Sequence, residues 1–148
     1  CSKFMSEIDK NELLELTVES EILKFLEVRI ESVSDERVVL SMPVTKRVHQ
    51  YIGIMNDGIS LLLAETAASI GAVMRSDLTQ VAPVGIEINA NHLRPAIKGK
   101  VTAEATSLYY GKTLSVWQVE IKDERGRLVC ISRCTIALRK GGAKLVKK

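Results

Sequence analysis

The residues most able to do chemistry lie in the stretch Asn56 to Ser69, NDGISLLLAETAAS, where one carboxylate, Glu65, stands in an almost wholly apolar run. A charge on an apolar helix is costly unless something pairs with it or uses it. Glu65 is therefore either half of a buried polar pair or a reactive group. Ser69, four residues on, shares its helical face. At the start of the run, Asn56-Asp57-Gly58 opens a helix whose first amide N–H groups lack intrahelical acceptors and sit at the positive end of the dipole. A carboxylate that can act as base or nucleophile, with N–H donors aimed at a developing oxyanion, suits acyl transfer. Desolvation on an apolar helix is expected to raise the Glu65 pKa toward the range useful to a base.

Other chemistries find less support. The chain has two histidines, His49 and His92, and no nucleophile elbow, so a Ser/His/Asp triad is not indicated. The scattered His and carboxylate residues have no metal-ligand spacing such as HExxH, and no metal or other cofactor is expected. No glycine-rich phosphate loop is present. Aromatic residues make up 4% of the chain, too few for a module that stacks single-stranded nucleic acid. The net charge of +3 owes much to the closing RKGGAKLVKK, which reads as a solvated tail. The three cysteines, Cys1, Cys130 and Cys134, form no CxxC pair and are expected to be reduced thiols in a cytosolic protein. No secretory signal is visible in this sequence, and the apolar run Ile59 to Met74 is expected to fall short of a membrane span.

The elements that must position these groups follow from the hydrophobic pattern. With 148 residues, 46% hydrophobic and 26% charged, one globular domain is expected. Residues 8–26 predict helix, with Ser20 as a possible internal cap and an apolar stripe of Ile22, Leu23 and Leu26. VRIESVSDERVVLSMPV alternates about Ser34-Asp35-Glu36, a hairpin with strands near 28–33 and 37–43. Asp57 to Met74 is a long helix capped by Asn56 or Asp57, apolar nearly all round and so enclosed. Its second half is rich in Ala, Ser and Gly, which permits close approach of another element. Four strands follow, near 84–93, 100–108, 114–122 and 127–138, with DERG turning the last pair. Short connections imply an antiparallel sheet. The expected architecture is α+β: about six antiparallel strands wrapped around one long central helix. Residues 1–19 form a partly helical N-terminal segment, 20–140 the domain, and 141–148 the basic tail.

This order and these motifs resemble the hotdog-fold acyl-CoA thioesterases. QYIGIMNDGISLLLAETAAS is similar to that family's Q-x-x-G-x-x-H-G-G-x-S-x-x-L-A-E-x-x-x-S, and INANHLRPAIKGKVTAEA to its following strand, N-A-N-H-x-R-P. YYGKT and DERGRLVCISRCTIAL match the last two hairpins. The likeness covers roughly residues 20–140 and is closest to the group acting on phenylacetyl-, hydroxybenzoyl- and hydroxynaphthoyl-CoA. It implies that Glu65 is the catalytic carboxylate, as nucleophile or as general base for water. Gln50 and a backbone N–H at Asp57 or Gly58 would hold the thioester oxygen, and Ser69 would orient the water or the acyl group. It places Asn91, His92 and Arg94 near the CoA pantetheine and phosphates, where an Arg fork suits phosphate. Tyr110, Gly111 and Lys112, in a turn, and Arg133, on the last strand, are further candidates for CoA. Active sites between two subunits are implied, hence a dimer or a tetramer of dimers.

Two positions depart from the family pattern. Asn56 replaces its histidine and cannot take a proton as imidazole can. Asp57 replaces a glycine whose N–H faces the oxyanion; its carboxylate should oppose that charge, and its bulk matters if the site needs a positive φ. The expected function is hydrolysis of a small aryl- or acyl-CoA to the free acid and CoA, with CoA as part of the substrate. The alternatives are a non-catalytic acyl-CoA-binding protein and a hydratase or dehydratase of hydroxyacyl thioesters. Neither nucleic acid nor membrane is an expected partner.

Overall fold

The computed structural model describes residues 9–144. Its helices are α1 (Lys10–Val18), α2 (Glu21–Phe25) and α3 (Asp57–Arg75), and its strands β1 (Arg29–Val33), β2 (Arg37–Pro43), β3 (Val81–His92), β4 (Lys100–Tyr110), β5 (Leu114–Lys122) and β6 (Leu128–Lys140). The six strands form one antiparallel sheet in the order β1-β2-β4-β5-β6-β3, and α3 packs along β2 to β6. The expected hotdog architecture is the one observed.

Alternation in the sequence builds the concave face. Val101, Ala103 and Ala105 of β4, Trp117, Val119 and Ile121 of β5, and Cys130, Cys134 and Ile136 of β6 are fully buried, each set at the two-residue period that puts side chains on one face. Helix α3 meets them with Leu63, Ala64, Ala67, Ala68, Gly71 and Ala72. Gly71 is not interchangeable with alanine, because an added Cβ would enter the Trp117 ring. Glycine in mid-helix costs roughly 1 kcal/mol against alanine, which here admits a buried indole whose Nε1–H donates to Ser115 Oγ at 2.7 Å. The β5–β6 turn is set by Asp123, whose carboxylate accepts from the Arg125 and Arg127 N–H groups at 2.9 and 3.0 Å, with Gly126 at φ +74°.

Four expectations need correction. The single helix over 8–26 is two helices, broken where Ser20 takes an extended conformation; its hydroxyl donates back to the Thr17 carbonyl at 2.7 Å and does not cap α2. Helix α3 has the length and apolarity of a membrane span, but the sheet accounts for that apolarity. Its enclosure is one-sided: Leu62, Glu65, Thr66, Ser69 and Val73 remain half-buried on the face away from the central strands. The described part of the basic tail is tied down, with Gly141 and Gly142 N–H donating to the Gln80 carbonyl at 3.1 Å and Ala143 N–H to that of Leu78 at 2.9 Å. The rest of the tail, residues 145–148, and Cys1 lie outside the described residues.

Strand β3 stands at a sheet edge, which tolerates Pro83. It bulges between Gly85 and Glu87 and exposes Val84 and Ile86.

Candidate active site

Glu65 projects from the half-buried face of α3 into a cleft of about 440 Å³ between α3 and the α1–α2 segment. Ser69 lines the same cleft, as their four-residue spacing predicts. Neither side chain has a hydrogen-bond or ion-pair partner among the described residues. No buried side-chain oxygen in this set lacks a partner, so the unpaired Glu65 carboxylate is open to solvent in the cleft. The alternative of a carboxylate locked in an internal pair is thereby removed. On its other side Glu65 lies over Gly85: any side chain there would collide with Glu65 Oε1. The strand glycine and its bulge make room for the carboxylate.

Beneath Glu65, Cys134 is fully buried. Burial, then the nearby Glu65 and Glu87 carboxylates, push its thiol up to about 12. Cys130 is raised in the same direction by burial and then by Asp57. Both are free thiols.

The start of α3 forms a second cleft of about 270 Å³, lined by Asp57 and Ser60 together with His92, Arg94 and Val129. Asn56 is the cap: its Oδ1 accepts from Gly58 N–H at 2.8 Å. That bond occupies one of the two amides expected to meet an oxyanion. The Asn56 N–H is also taken, by the Val48 carbonyl at 2.8 Å. The Asp57 N–H remains without an acceptor among the described residues. Residue 57 is not in the left-handed region, since Glu27 is the one described non-glycine residue with positive φ; aspartate therefore brings no backbone strain. Its carboxylate turns toward His92, with Oδ1 3.5 Å from Nδ1.

Gln50 belongs to the loop leading into this end of the helix. Its Oε1 accepts from Ile52 N–H at 2.7 Å, which leaves its NH₂ as the group free to donate. The loop is closed by Gly53 at φ +80°, whose N–H donates to the Gln50 carbonyl at 3.0 Å. His49 is half-buried and bonds through Nε2 to the Ile97 carbonyl at 2.7 Å, fastening the loop to the strand connection.

The predicted residues thus divide into groups. Glu65 and Ser69 share one cleft; Asp57, His92 and Arg94 share the other, with Gln50, Asn56 and Gly58 beside it and Asn91 exposed on β3. Eight residues of α-helix separate Asp57 from Glu65, a rise of about 12 Å, and the two clefts have no lining residue in common. Tyr110 lies at the opposite end of α3, its hydroxyl 2.7 Å from Ser76 Oγ and its ring under the Arg75 guanidinium at 4.7 Å. Gly111 and Lys112 continue that turn, and Arg133 is exposed on β6, paired in register with Asn89 and Gln118. One chain brings none of these last residues to either cleft. Sequence reasoning passed over Gly85, although a glycine inside a strand signals close approach, and it passed over the cleft-facing residues of α1.

The thioesterase superfamily profile matches residues 52–130, which run from the Gln50 loop through α3 and into β6. The chain belongs to the thioesterase superfamily. It is 45% identical over 113 residues to a 1,4-dihydroxy-2-naphthoyl-CoA hydrolase of Listeria monocytogenes, covering 76% of this chain and 91% of that one. It is 39% identical over 127 residues to the Escherichia coli protein of the same name, covering 86% and 93%. A thioesterase structure from Haemophilus influenzae superposes with a TM-score of 0.82 at 34% identity, covering 90% of this chain and 92% of that one. As a superfamily member with these relatives, the protein is a thioester hydrolase.

Proposed function

We propose that this thioesterase hydrolyses an acyl-CoA to the free acid and CoA, with Glu65 as the catalytic carboxylate and a second copy of the chain completing the site. The observation that carries the reading is an unpaired carboxylate opening into an apolar cleft beside a free serine hydroxyl. Similarity to two enzymes named for a naphthoyl-CoA supports CoA as the thiol.

The thioester carbonyl oxygen accepts from the Asp57 N–H and the Gln50 NH₂, two free donors at the head of α3. Because Glu65 stands about 12 Å further along the same helix, the carboxylate that attacks a carbonyl held there comes from another copy. The unpaired edge of β3, with Val84 and Ile86 exposed, favours self-association. In the nucleophilic route Glu65 adds to the carbonyl carbon, the C–S bond breaks, and CoA leaves as thiolate; water then cleaves the resulting anhydride. In the general-base route Glu65 takes a proton from water as that water adds to the same carbon; the tetrahedral intermediate collapses with cleavage of the C–S bond, and the departing CoA thiolate recovers the proton from Glu65. Ser69 orients the water. His92 and Arg94 bind the CoA portion near the donors.

The test is steady-state thiol release from a panel of aryl- and fatty-acyl-CoAs. Glu65→Ala should lower kcat by at least 1,000-fold, about 4 kcal/mol, while acyl-CoA binding persists. The position of Asp57 beside the free N–H favours one rival, a protein that binds acyl-CoA without turnover. Binding by the unmodified protein with no thiol release, restored to turnover by Asp57→Gly, would establish that rival.

A further inference from the structure

The nucleophilic route leaves the departing sulfur without a proton donor, because Glu65 is then bound in the anhydride. The cleft at the head of α3 holds a group suited to that step. Its polar lining side chains are Asp57, Ser60, His92 and Arg94. A guanidinium does not release its proton, and a serine hydroxyl is a poor acid. Histidine is the one of the four that readily gives and takes a proton near neutrality.

His92 closes β3, opposite Cys130 in register. The next two residues fix that strand end: the N–H groups of Leu93 and Arg94 both donate to the Val129 carbonyl, at 2.8 and 3.2 Å. Asp57 meets the ring from α3, with Oδ1 3.5 Å from Nδ1. Catalytic contacts are commonly this long without substrate and tighten when it binds. The other ring nitrogen, Nε2, has no partner among the described residues, and the side chain is 33% exposed where it lines the cleft. Asp57 therefore serves the site twice. Its N–H is free for the thioester oxygen, and its carboxylate holds the imidazole beside that same carbonyl. A carboxylate at Nδ1 fixes the ring and its tautomer, which leaves Nε2 to exchange a proton with the substrate.

Resting on the hydrolysis reading, we infer that His92 is the general acid for departure of the thiol and that Asp57 is its positioning residue. As the tetrahedral intermediate collapses, the C–S electron pair goes to sulfur and the Nε2 proton of the imidazolium joins it. CoA leaves as the thiol, and His92 is left neutral. Water then cleaves the anhydride to the free acid and the Glu65 carboxylate, and the one proton left over restores His92. An exposed Asp–His pair with no such role would matter little to the protein; one that acts on the leaving group matters in proportion to how poorly that group leaves.

The experiment reads kcat/KM on the full chain, since that quantity covers the steps up to thiol departure. One acyl group is presented on benzyl mercaptan, a weakly acidic thiol, and on para-nitrothiophenol, an acidic one that leaves without help; neither carries the nucleotide of CoA. In His92→Gln the benzyl thioester should lose about 100-fold and the nitrophenyl thioester less than about threefold, the low end of what general acid catalysis contributes. Asp57→Asn keeps the N–H and the bulk but not the charge, and the benzyl-to-nitrophenyl ratio should fall in it by at least about fivefold. With the acyl-CoA itself, added imidazole should raise the rate of His92→Ala by at least about tenfold. Equal losses on both thioesters, as a binding or structural role would give, would overturn the assignment, and so would no loss at all. Where the small thioesters are not turned over, the imidazole arm decides, and failure to rescue overturns it. No thiol release from any thioester or acyl-CoA overturns the hydrolysis reading, and the assignment falls with it; release with an unmoved ratio overturns the assignment alone.

Discussion

Replacing Gly85 with alanine should cripple turnover while sparing the fold. A Cβ at residue 85 would sit well inside the 3.0 Å that real Cβ contacts respect, and the atom it meets is Glu65 Oε1, the far end of a flexible side chain. Residue 85 is not among the glycines with positive φ, so alanine fits its backbone. The carboxylate can yield by withdrawing about 1 Å, a displacement that costs on the order of 100-fold when it misplaces a reacting group. That corresponds to about 2.7 kcal/mol of transition-state stabilisation. The assay pairs thiol release with thermal unfolding. The expected outcome is kcat down about 100-fold, KM within about threefold, and Tm within about 4 °C, the shift that 1 kcal/mol produces in a chain of this size. Unchanged turnover would refute the claim that Glu65 works from its position against Gly85. Lost turnover accompanied by a collapse in Tm would show instead that the strand, not the carboxylate, gives way.

Two further outcomes follow from the electrostatics. Glu104 receives Nε and an Nη of Arg37, both at 2.9 Å, and that bond holds its carboxyl below the ordinary 4.5. The stabilisation is therefore complete above pH 4.5 and is lost as pH falls through the lower folded value. Glu104→Gln should cost at most about 1 kcal/mol at pH 7, as for an exposed pair, and the difference from the unmodified protein should vanish in acid-unfolding curves. Cys134, with its thiol pushed up to about 12, should resist alkylation at pH 8 in the folded protein and react on unfolding; rapid native-state labelling at this site would contradict its enclosure.

Much of the fold was legible because its signals are periodic. The alternation in β4, β5 and β6 gave the concave face, and the small residues of α3 marked where the sheet comes close. Glu65 was legible for a different reason, as the one charge in an apolar run. What escaped was set by which of several possible contacts each side chain makes. Nothing local says that Asn56 rather than Asp57 caps α3, and so which amide stays free. Gly85 and Glu65 meet only when an edge strand is laid beside the helix. Tyr110 reads in the sequence as part of a turn that could meet CoA; nothing local shows that its hydroxyl lies against Ser76 at the end of α3. The break at Ser20 depended on a hydroxyl finding a carbonyl within its own chain segment, a competition that propensity does not resolve. The separation of Asp57 from Glu65 was implicit in the helix rise, and only the two distinct clefts make its consequence for the site visible.

The most direct test of a site shared between copies is complementation. Glu65→Ala and Gln50→Ala chains, carrying different tags, are co-expressed, and the mixed assemblies are purified through both tags. If the carboxylate of one chain serves the donors of another, each mixed dimer holds one intact site. Its thiol release should reach about half that of the unmodified dimer, far above either parent. Activity no greater than the mean of the two parents would contradict the account.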